Sequence, residues 1–321
     1  MAKFNVVVTN KVNLVGIEKM KELFNVHERT RDTDEATWEK WLSEADAIYS
    51  PSGMKINEEL LSKAPNVKVV SQVAVGYDNI DVAACSKRGI FVGNTPGVVT
   101  DATADMAYGL ILCSARYLHK AWLHVKSGEW GNRKPFVMGT DLKGKLLGII
   151  GLGSVGFAVA QRAKASGMKI AYHNRKPALK AAEVEAEYMG FDELLGKADF
   201  VILTLPLNND TKKMFGKDEF AKMKPDARFI NAARGPLVDT DALYEALLDK
   251  KIAYAALDVT DPEPIPGDHP LLSLDNLVIF PHIGGYTKET RDAMSIMALE
   301  NMAAALEGRE MPSCVNCTEL V

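Results

Sequence analysis

The sequence has little of what would set it apart from ordinary globular proteins. Across 321 residues there are four cysteines, Cys85, Cys113, Cys314 and Cys317, too few and too scattered for the disulfide framework of a small secreted domain. Cys314 and Cys317 form a C-x-x-C, but a structural zinc needs four ligands and no second pair exists, so no metal is expected. All four are expected to be free thiols in a reducing cytoplasm. No apolar run approaches the ~20 residues of a membrane span. The opening, MAKFNVVVTNKV, is too short and too polar for a signal peptide and reads as a first β-strand. Neither sign of charge dominates: the net charge of −4 gives no electrostatic attraction toward nucleic acid or an anionic membrane. Low-complexity tracts and fixed-period repeats are also missing. A cytoplasmic globular protein with a small-molecule ligand is the class that remains.

What is present is material for folded cores. Hydrophobic residues make up 47% and charged residues 25%, and the length suits about two domains. Short β-branched runs (FNVVVTN, ADAIYSP, VKVVSQVAVG, IFVGNTP) alternate with amphipathic helical segments at 16–24, 34–44 and 57–63. Strands alternating with helices imply parallel sheet. The stretch from Thr100 to Trp130 then reads as one long helix, capped by Thr100 or Asp101, and apolar on several faces through Met106, Leu110, Ile111, Tyr117 and Leu118. That pattern suggests a domain junction or a subunit interface. A second alternating series runs through KLLGIIGLG, KIAYHN, DFVILTLP, ARFINAA, YAALDV and LVIFPHIGG, and a last helix spans roughly 288–308. The chain therefore reads as α/β, with two doubly wound parallel-sheet units.

Gly151, Gly153 and Gly156 form a G-x-G-x-x-G that follows an apolar strand and opens a helix, the context a dinucleotide fingerprint requires. The glycines permit a tight turn and let backbone N–H groups, those of Ser154 and Val155 included, reach a pyrophosphate at a helix N-terminus. An acidic residue usually follows about 20 positions on, to hold a ribose hydroxyl. Here Asn174, Arg175 and Lys176 occupy that strand end. Asparagine does not repel a 2′-phosphate, the Arg175 guanidinium can grip one with a planar fork, and Lys176 adds a point charge. NADPH is expected in preference to NADH. The alternative is a solvated basic loop.

Three later strand ends carry Arg234 (INAARGPLVD), Asp258 with Glu263 (ALDVTDPEP) and His282 (FPHIGG). Ligands in open α/β sheets bind beyond the carboxyl ends of strands, so these side chains could converge on one pocket. Taken singly, Arg234 could be a surface ion pair, Glu263 a turn residue and His282 a loop histidine.

Together, these motifs and VAVGYDNID, KMKPDARFINAARGPLVD and HPLLSLDNLVIFPHIGG resemble the D-isomer-specific 2-hydroxyacid dehydrogenases over nearly the whole chain, and within them the glyoxylate/hydroxypyruvate reductases. The resemblance implies a flavodoxin-like substrate domain, residues 1–100 plus 288–321, with a Rossmann domain, 101–287, inserted into it. It implies a homodimer, a cleft that closes by a hinge, and no metal in the chemistry. It makes Arg234 the binder of the 2-oxoacid carboxylate and keto oxygen, His282 the proton donor, Glu263 its partner, and Asp258 the residue that orients the nicotinamide carboxamide. Val75 and Gly76 would hold the substrate carboxylate through their N–H groups. Leu205, Pro206, Ala232 and Gly284 join the cofactor contacts, with Arg234 and His282 beside the nicotinamide. The expected reaction is NADPH-dependent reduction of glyoxylate or hydroxypyruvate to the D-2-hydroxyacid.

Three alternatives stand beside that reading. The first is a 2-keto-D-gluconate reductase. The second is an NAD-linked dehydrogenase of 3-phosphoglycerate, disfavoured by the 175–176 cations and by the lack of a C-terminal regulatory domain. The third is a nucleotide-sensing protein of the corepressor type, which long disordered tails would favour. The chain departs from the resemblance at EWGNRKP, where similar hydroxypyruvate reductases have a second tryptophan in place of Arg133. If Arg133 entered the pocket, it would suit longer, hydroxylated acids; otherwise it is a solvent-facing arginine.

Overall fold

The computed structural model describes residues 3–51, 53–131 and 136–320. Arg133 lies outside the described residues. By contact density the chain divides into two compact units, Met1–Val99 with Thr287–Val321, and Thr100–Tyr286.

The first stretch of the chain runs β1 (Asn5–Val8), α1 (Val15–Leu23), β2 (Asn25–Glu28), α2 (Glu35–Glu44), β3 (Ala47–Ser50), α3 (Glu58–Ser62), β4 (Val69–Gln72), α4 (Val82–Lys87) and β5 (Phe91–Gly93). Its strands form one parallel sheet in the order β2-β1-β3-β4-β5, the flavodoxin-like order. Aspartate and asparagine start the helices: Asp34, Asn57 and Asp81 each accept a backbone N–H of the first turn. The sequence reading missed β2. Its four residues, NVHE, lie at the sheet edge and stay partly exposed, so no hydrophobic pattern marks them.

The chain continues through α5 (Thr100–Arg116), α6 (Leu118–Lys126), β6 (Leu146–Ile150), α7 (Ser154–Ala165), β7 (Lys169–His173), β8 (Glu187–Tyr188), α8 (Phe191–Lys197), β9 (Phe200–Leu203), α9 (Lys217–Lys222), β10 (Arg228–Asn231), α10 (Thr240–Leu248), β11 (Tyr254–Leu257), β12 (Leu277–Ile279) and α11 (Lys288–Leu306). The seven strands of the second unit lie in the order β12-β11-β10-β9-β6-β7-β8, every pair parallel. The order reverses between β6 and β9, the switch point at which such sheets bind ligands.

Alternation decides each core. In the first unit Val6 and Val8 face α11, packing with Met294, Ala298 and Met302, while Val7 faces the other way onto Trp38 and Leu42. In the second, the apolar strands are covered on one side by α5 and α7, through Ala104, Leu110, Val159 and Ala163, and on the other by residues of α8, α9 and α10 such as Leu194, Phe220 and Leu243. Among the described residues, no helix is long and apolar enough to cross a membrane.

Two expectations need correction. The stretch after Val99 is not one helix: Thr100 is its first residue rather than its cap, and Tyr117, in the left-handed region at φ 51°, separates α5 from α6. Neither glycine nor proline announces that break. Tertiary contacts hold it: the Tyr117 ring meets Tyr254 edge-on at 5.3 Å, and the Arg228 guanidinium lies 5.3 Å from its centroid. The second correction concerns the cysteines. Cys314 and Cys317 form a disulfide, because the turn between them brings their Cα atoms to 5.6 Å, a separation that a bridge spans without moving backbone. Cys85 and Cys113 are the buried free thiols.

Candidate active site

At the end of β6 the backbone turns sharply. Gly151 sits at φ +103°, a conformation that L side chains rarely adopt, and its N–H donates to His173 O at 3.0 Å. Gly153 donates to Gly151 O at 2.8 Å and precedes α7. The three glycines of the turn differ in what a side chain would meet. A Cβ on Gly156 would fall 2.5 Å from Gly151 O and 2.8 Å from Thr204 Oγ1, so this glycine permits close helix–strand packing. A Cβ on Gly151 would fall 2.9 Å from Leu205 Cβ. A Cβ on Gly153 would meet nothing within 4 Å. Open space therefore lies in front of the first turn of α7, whose N–H groups, Ser154 and Val155 among them, have no intrahelical acceptor and carry the positive end of the helix dipole. A pyrophosphate fits that space and that polarity.

The strand end beside it is β7. Asn174 Oδ1 accepts the Leu152 N–H at 2.7 Å, so the asparagine side chain is tied to the glycine turn itself. Arg175 and Lys176 follow, both exposed, and neither forms an ion pair among the described residues. Leu205 and Pro206 cap β9 across the turn, Leu205 against Gly151.

The candidate catalytic side chains come from three neighbouring strands. Arg234 follows β10, Glu263 follows β11 and His282 follows β12. His282 Nδ1 and Glu263 Oε1 are 2.6 Å apart, with the two side chains 46% and 41% exposed. The bond to Nδ1 leaves Nε2 as the ring's free corner. The Glu263 hydrogen bond raises the His282 pKa; partial burial opposes it, the Glu263 charge adds to it, and the nearby Arg234 charge subtracts. For Glu263, burial is the largest influence and pushes its pKa up. The His282 hydrogen bond and charge, the Thr260 N–H and the Arg234 charge outweigh it, so the carboxyl sits below its ordinary value. Both shifts favour the charged forms, imidazolium beside carboxylate.

Buried groups brace these three loops. Asp258, 2% exposed, accepts the Ile283 N–H at 2.9 Å and the Gly284 N–H at 2.7 Å, while His282 N donates to Asp258 O at 2.8 Å. Burial is the largest influence on Asp258 and raises its pKa; the two N–H groups offset part of it. Its carboxylate thus ties down the loop that carries His282, a task the sequence reading did not give it. Asn231, 1% exposed at the end of β10, accepts the Ala233 N–H and donates to Arg234 O, closing the turn that contains Ala232 and aims Arg234. Thr240 Oγ1 donates to Asp261 O at 2.7 Å, joining the Arg234 and Glu263 segments.

In the first unit, the loop after β4 carries Val75 and Gly76. Ala74 O accepts the Thr95 N–H at 3.0 Å, and Val75 O accepts Asn94 Nδ2 at 2.9 Å. Ser313 Oγ and Asn301 Nδ2 in turn hold Asn94 through its side-chain and backbone oxygens. A planar trans peptide points C=O and the next N–H in opposite directions, so with both carbonyls bound inward the Val75 and Gly76 N–H groups point outward. Neither has a partner among the described residues. Two backbone donors left open side by side are groups that could bind an anion.

Comparison with known proteins places this geometry. Residues 108–284 match the family model described as D-isomer specific 2-hydroxyacid dehydrogenase, NAD binding domain. The chain is 46% identical over 279 residues to a glyoxylate reductase of Thermococcus litoralis, covering 85% of this chain and 84% of that one. It is 41% identical over 324 residues to a glyoxylate reductase of Thermococcus onnurineus, covering 98% and 96%. Among solved structures, a protein from Thermus thermophilus has a TM-score of 0.90 at 38% identity, over 97% of this chain and 99% of that one. An NADPH-dependent glyoxylate/hydroxypyruvate reductase of Sinorhizobium meliloti, solved with NADP and malonate, has a TM-score of 0.89 at 31% identity, over 98% and 97%. With the glycine turn, the paired histidine and glutamate and the two parallel sheets in place, the chain belongs to the D-isomer-specific 2-hydroxyacid dehydrogenases, nicotinamide-dependent oxidoreductases that act on CH–OH donors.

Proposed function

We propose that the protein reduces small 2-oxoacids, glyoxylate and hydroxypyruvate foremost, to D-2-hydroxyacids, and that it uses NADPH in preference to NADH. The observation that carries the chemistry is the 2.6 Å contact between His282 Nδ1 and Glu263, with Arg234 close enough for its charge to act on both. When bound, the reduced nicotinamide supplies the hydride. Arg234 meets the substrate carboxylate and keto oxygen with parallel N–H bonds. As negative charge develops on the carbonyl oxygen, His282 Nε2 gives it a proton. Glu263 keeps the ring oriented and charged until that moment. Asp258 holds the His282 loop in place, its carboxylate bound to the Ile283 and Gly284 N–H groups.

The exposed Arg175 and Lys176 support the cofactor preference, as does the NADP bound to the Sinorhizobium meliloti enzyme. A homodimer is proposed on the exposed apolar residues of α6: Leu118, Trp122, Leu123 and Val125 are all at least half exposed, more than an isolated soluble helix surface leaves open.

Initial rates with NADPH and NADH, against glyoxylate, hydroxypyruvate, pyruvate and 2-ketogluconate, test the reading. The first two acids with NADPH should give the highest kcat/KM. Hydrogen bonds to charged groups contribute roughly 1.5–3 kcal/mol, so Arg175→Ala should weaken NADPH about 10–100-fold and leave NADH nearly unchanged. A wild type that prefers NADH, or equal weakening of both cofactors, would defeat the phosphate clamp. Failure to turn over any 2-oxoacid would favour the nucleotide-sensing alternative.

A further inference from the structure

Arg175 and Lys176 stand on a short loop that is tied at both ends. At its start, Asn174 Oδ1 accepts the Leu152 N–H at 2.7 Å, and Asn174 O accepts the Tyr188 hydroxyl at 3.2 Å. At its end, the Ala178 N–H donates to the Tyr172 hydroxyl at 3.0 Å. Between these ties Arg175, Lys176 and Pro177 are exposed. The two tyrosines are register partners on β7 and β8, and their rings meet edge-on at 5.5 Å. One tyrosine therefore fixes the start of the loop, the other fixes its end, and the two fix each other.

The Tyr188 ring packs against Tyr172 and His173, but that packing needs no hydroxyl. Strand β8 is two residues long, both positions are exposed, and the Tyr188 side chain is 44% exposed. What it does is place a hydroxyl under Asn174 O. With that carbonyl held, the planar peptide points the Arg175 N–H the opposite way, where it has no acceptor among the described residues. The loop thereby presents a backbone donor beside the two cations, all on a base that is ordered before any ligand arrives. Arginine and lysine side chains lose considerable rotamer freedom on binding, so a fixed base matters most for a clamp built from them.

We propose that Tyr188 is a positioning residue for recognition of the cofactor's 2′-phosphate: its hydroxyl fixes the base from which Arg175 and Lys176 reach that group. The inference rests on the reading that those two cations hold the 2′-phosphate. Tyr188 touches neither the phosphate nor the substrate; it acts through Asn174.

The test is a double-mutant cycle read with both cofactors. Tyr188→Phe removes one oxygen from a half-exposed ring and should leave thermal unfolding and kcat unchanged. It should raise the KM for NADPH about 3–10-fold, the range expected for one hydrogen bond, with the KM for NADH unchanged. In the Arg175→Ala background the same substitution should have little further effect on NADPH, because the group it positions is gone. Equal weakening of NADPH and NADH by Tyr188→Phe would make the residue a support of the fold or of the adenosine half, and would overturn the proposal. So would a full effect that persists without Arg175. A silent Tyr188→Phe beside a strongly selective Arg175→Ala would overturn the role of Tyr188 while leaving the clamp standing. If Arg175→Ala weakened NADPH and NADH equally, or weakened neither, the clamp would be removed and this inference with it.

Discussion

Alanine at each of the three turn glycines should give three different outcomes, because each glycine is there for a different reason. Gly153 has extended backbone and nothing within 4 Å of an added Cβ, so Gly153→Ala meets no steric obstacle in the free protein. By narrowing the unfolded ensemble it should be neutral or stabilising by about 0.4–1 kcal/mol. Gly151→Ala forces a methyl onto backbone at φ +103° and toward Leu205, a strain of about 1–3 kcal/mol. Gly156→Ala pushes a methyl to 2.5 Å from Gly151 O, where backbone must give way, at a cost of about 1–3 kcal/mol. For a domain of this size about 1 kcal/mol moves Tm by roughly 2–4 °C, so both should melt about 2–12 °C below wild type while Gly153→Ala does not. Cofactor titration should split them again. The Gly153 methyl would occupy the space that the pyrophosphate needs. Loss of even one backbone N–H to a charged oxygen, roughly 1.5–3 kcal/mol, would weaken NADPH and NADH alike by about 10–100-fold. The assay pairs a thermal melt with fluorescence titration of both cofactors. If Gly153→Ala bound NADPH as wild type does, the pyrophosphate would not lie over Gly153. If it melted as low as Gly156→Ala, the space in front of α7 would not be open.

The remaining predictions concern the chemistry and its supports. His282→Ala should lower kcat about 10²–10⁴-fold, the usual contribution of a general acid, while NADPH titration stays near wild type; near-normal turnover would remove His282 from the reaction. The Glu263 hydrogen bond raises the His282 pKa, so the imidazolium persists to higher pH, and if it is the proton donor kcat/KM should fall as pH rises through that pKa. Glu263→Gln removes the charge and should move this basic fall to lower pH; a basic limb that stays in place would contradict the pairing. Asn94→Asp removes the donor to Val75 O without changing side-chain size. It should raise the KM for the oxoacid at least about fivefold, the worth of one hydrogen bond, because a carboxylate oxygen then faces Val75 O, with the KM for NADPH unchanged; a change confined to NADPH would refute the bracing role.

Much of this was legible before any coordinates. Apolar β-branched runs such as LLGII and FVIL can be buried on both faces only in a covered parallel sheet, so the doubly wound units follow from the pattern. The Arg, Glu and His were singled out because each stands just past such a run. The strands β2 and β8 were missed because edge strands pair on one side and can be polar. The break at Tyr117 was missed because the contacts to Tyr254 and Arg228 come from distant sequence. The supporting asparagines had a faint signal: Asn94 and Asn231 each end an apolar strand, where a short amide can bind the turning backbone. Nothing in the string told which oxygen or N–H each would choose. The disulfide was misjudged because the argument from cellular redox state takes no account of how close a particular turn brings two Cα atoms.

The sheet order has a consequence for how such a protein can change. The proposed phosphate clamp stands at the end of β7, and the histidine–glutamate pair at the ends of β11 and β12, on the far side of β6, β9 and β10. At about 4.8 Å per strand, β7 and β11 lie roughly 19 Å apart. Substitutions beyond about 7–10 Å with no shared partners combine additively in free energy. Changes at 174–176 and changes at 263 or 282 should therefore multiply in rate and affinity without correction terms. A lineage could exchange one nicotinamide cofactor for the other, and revert, while its proton-transfer machinery stays under separate selection.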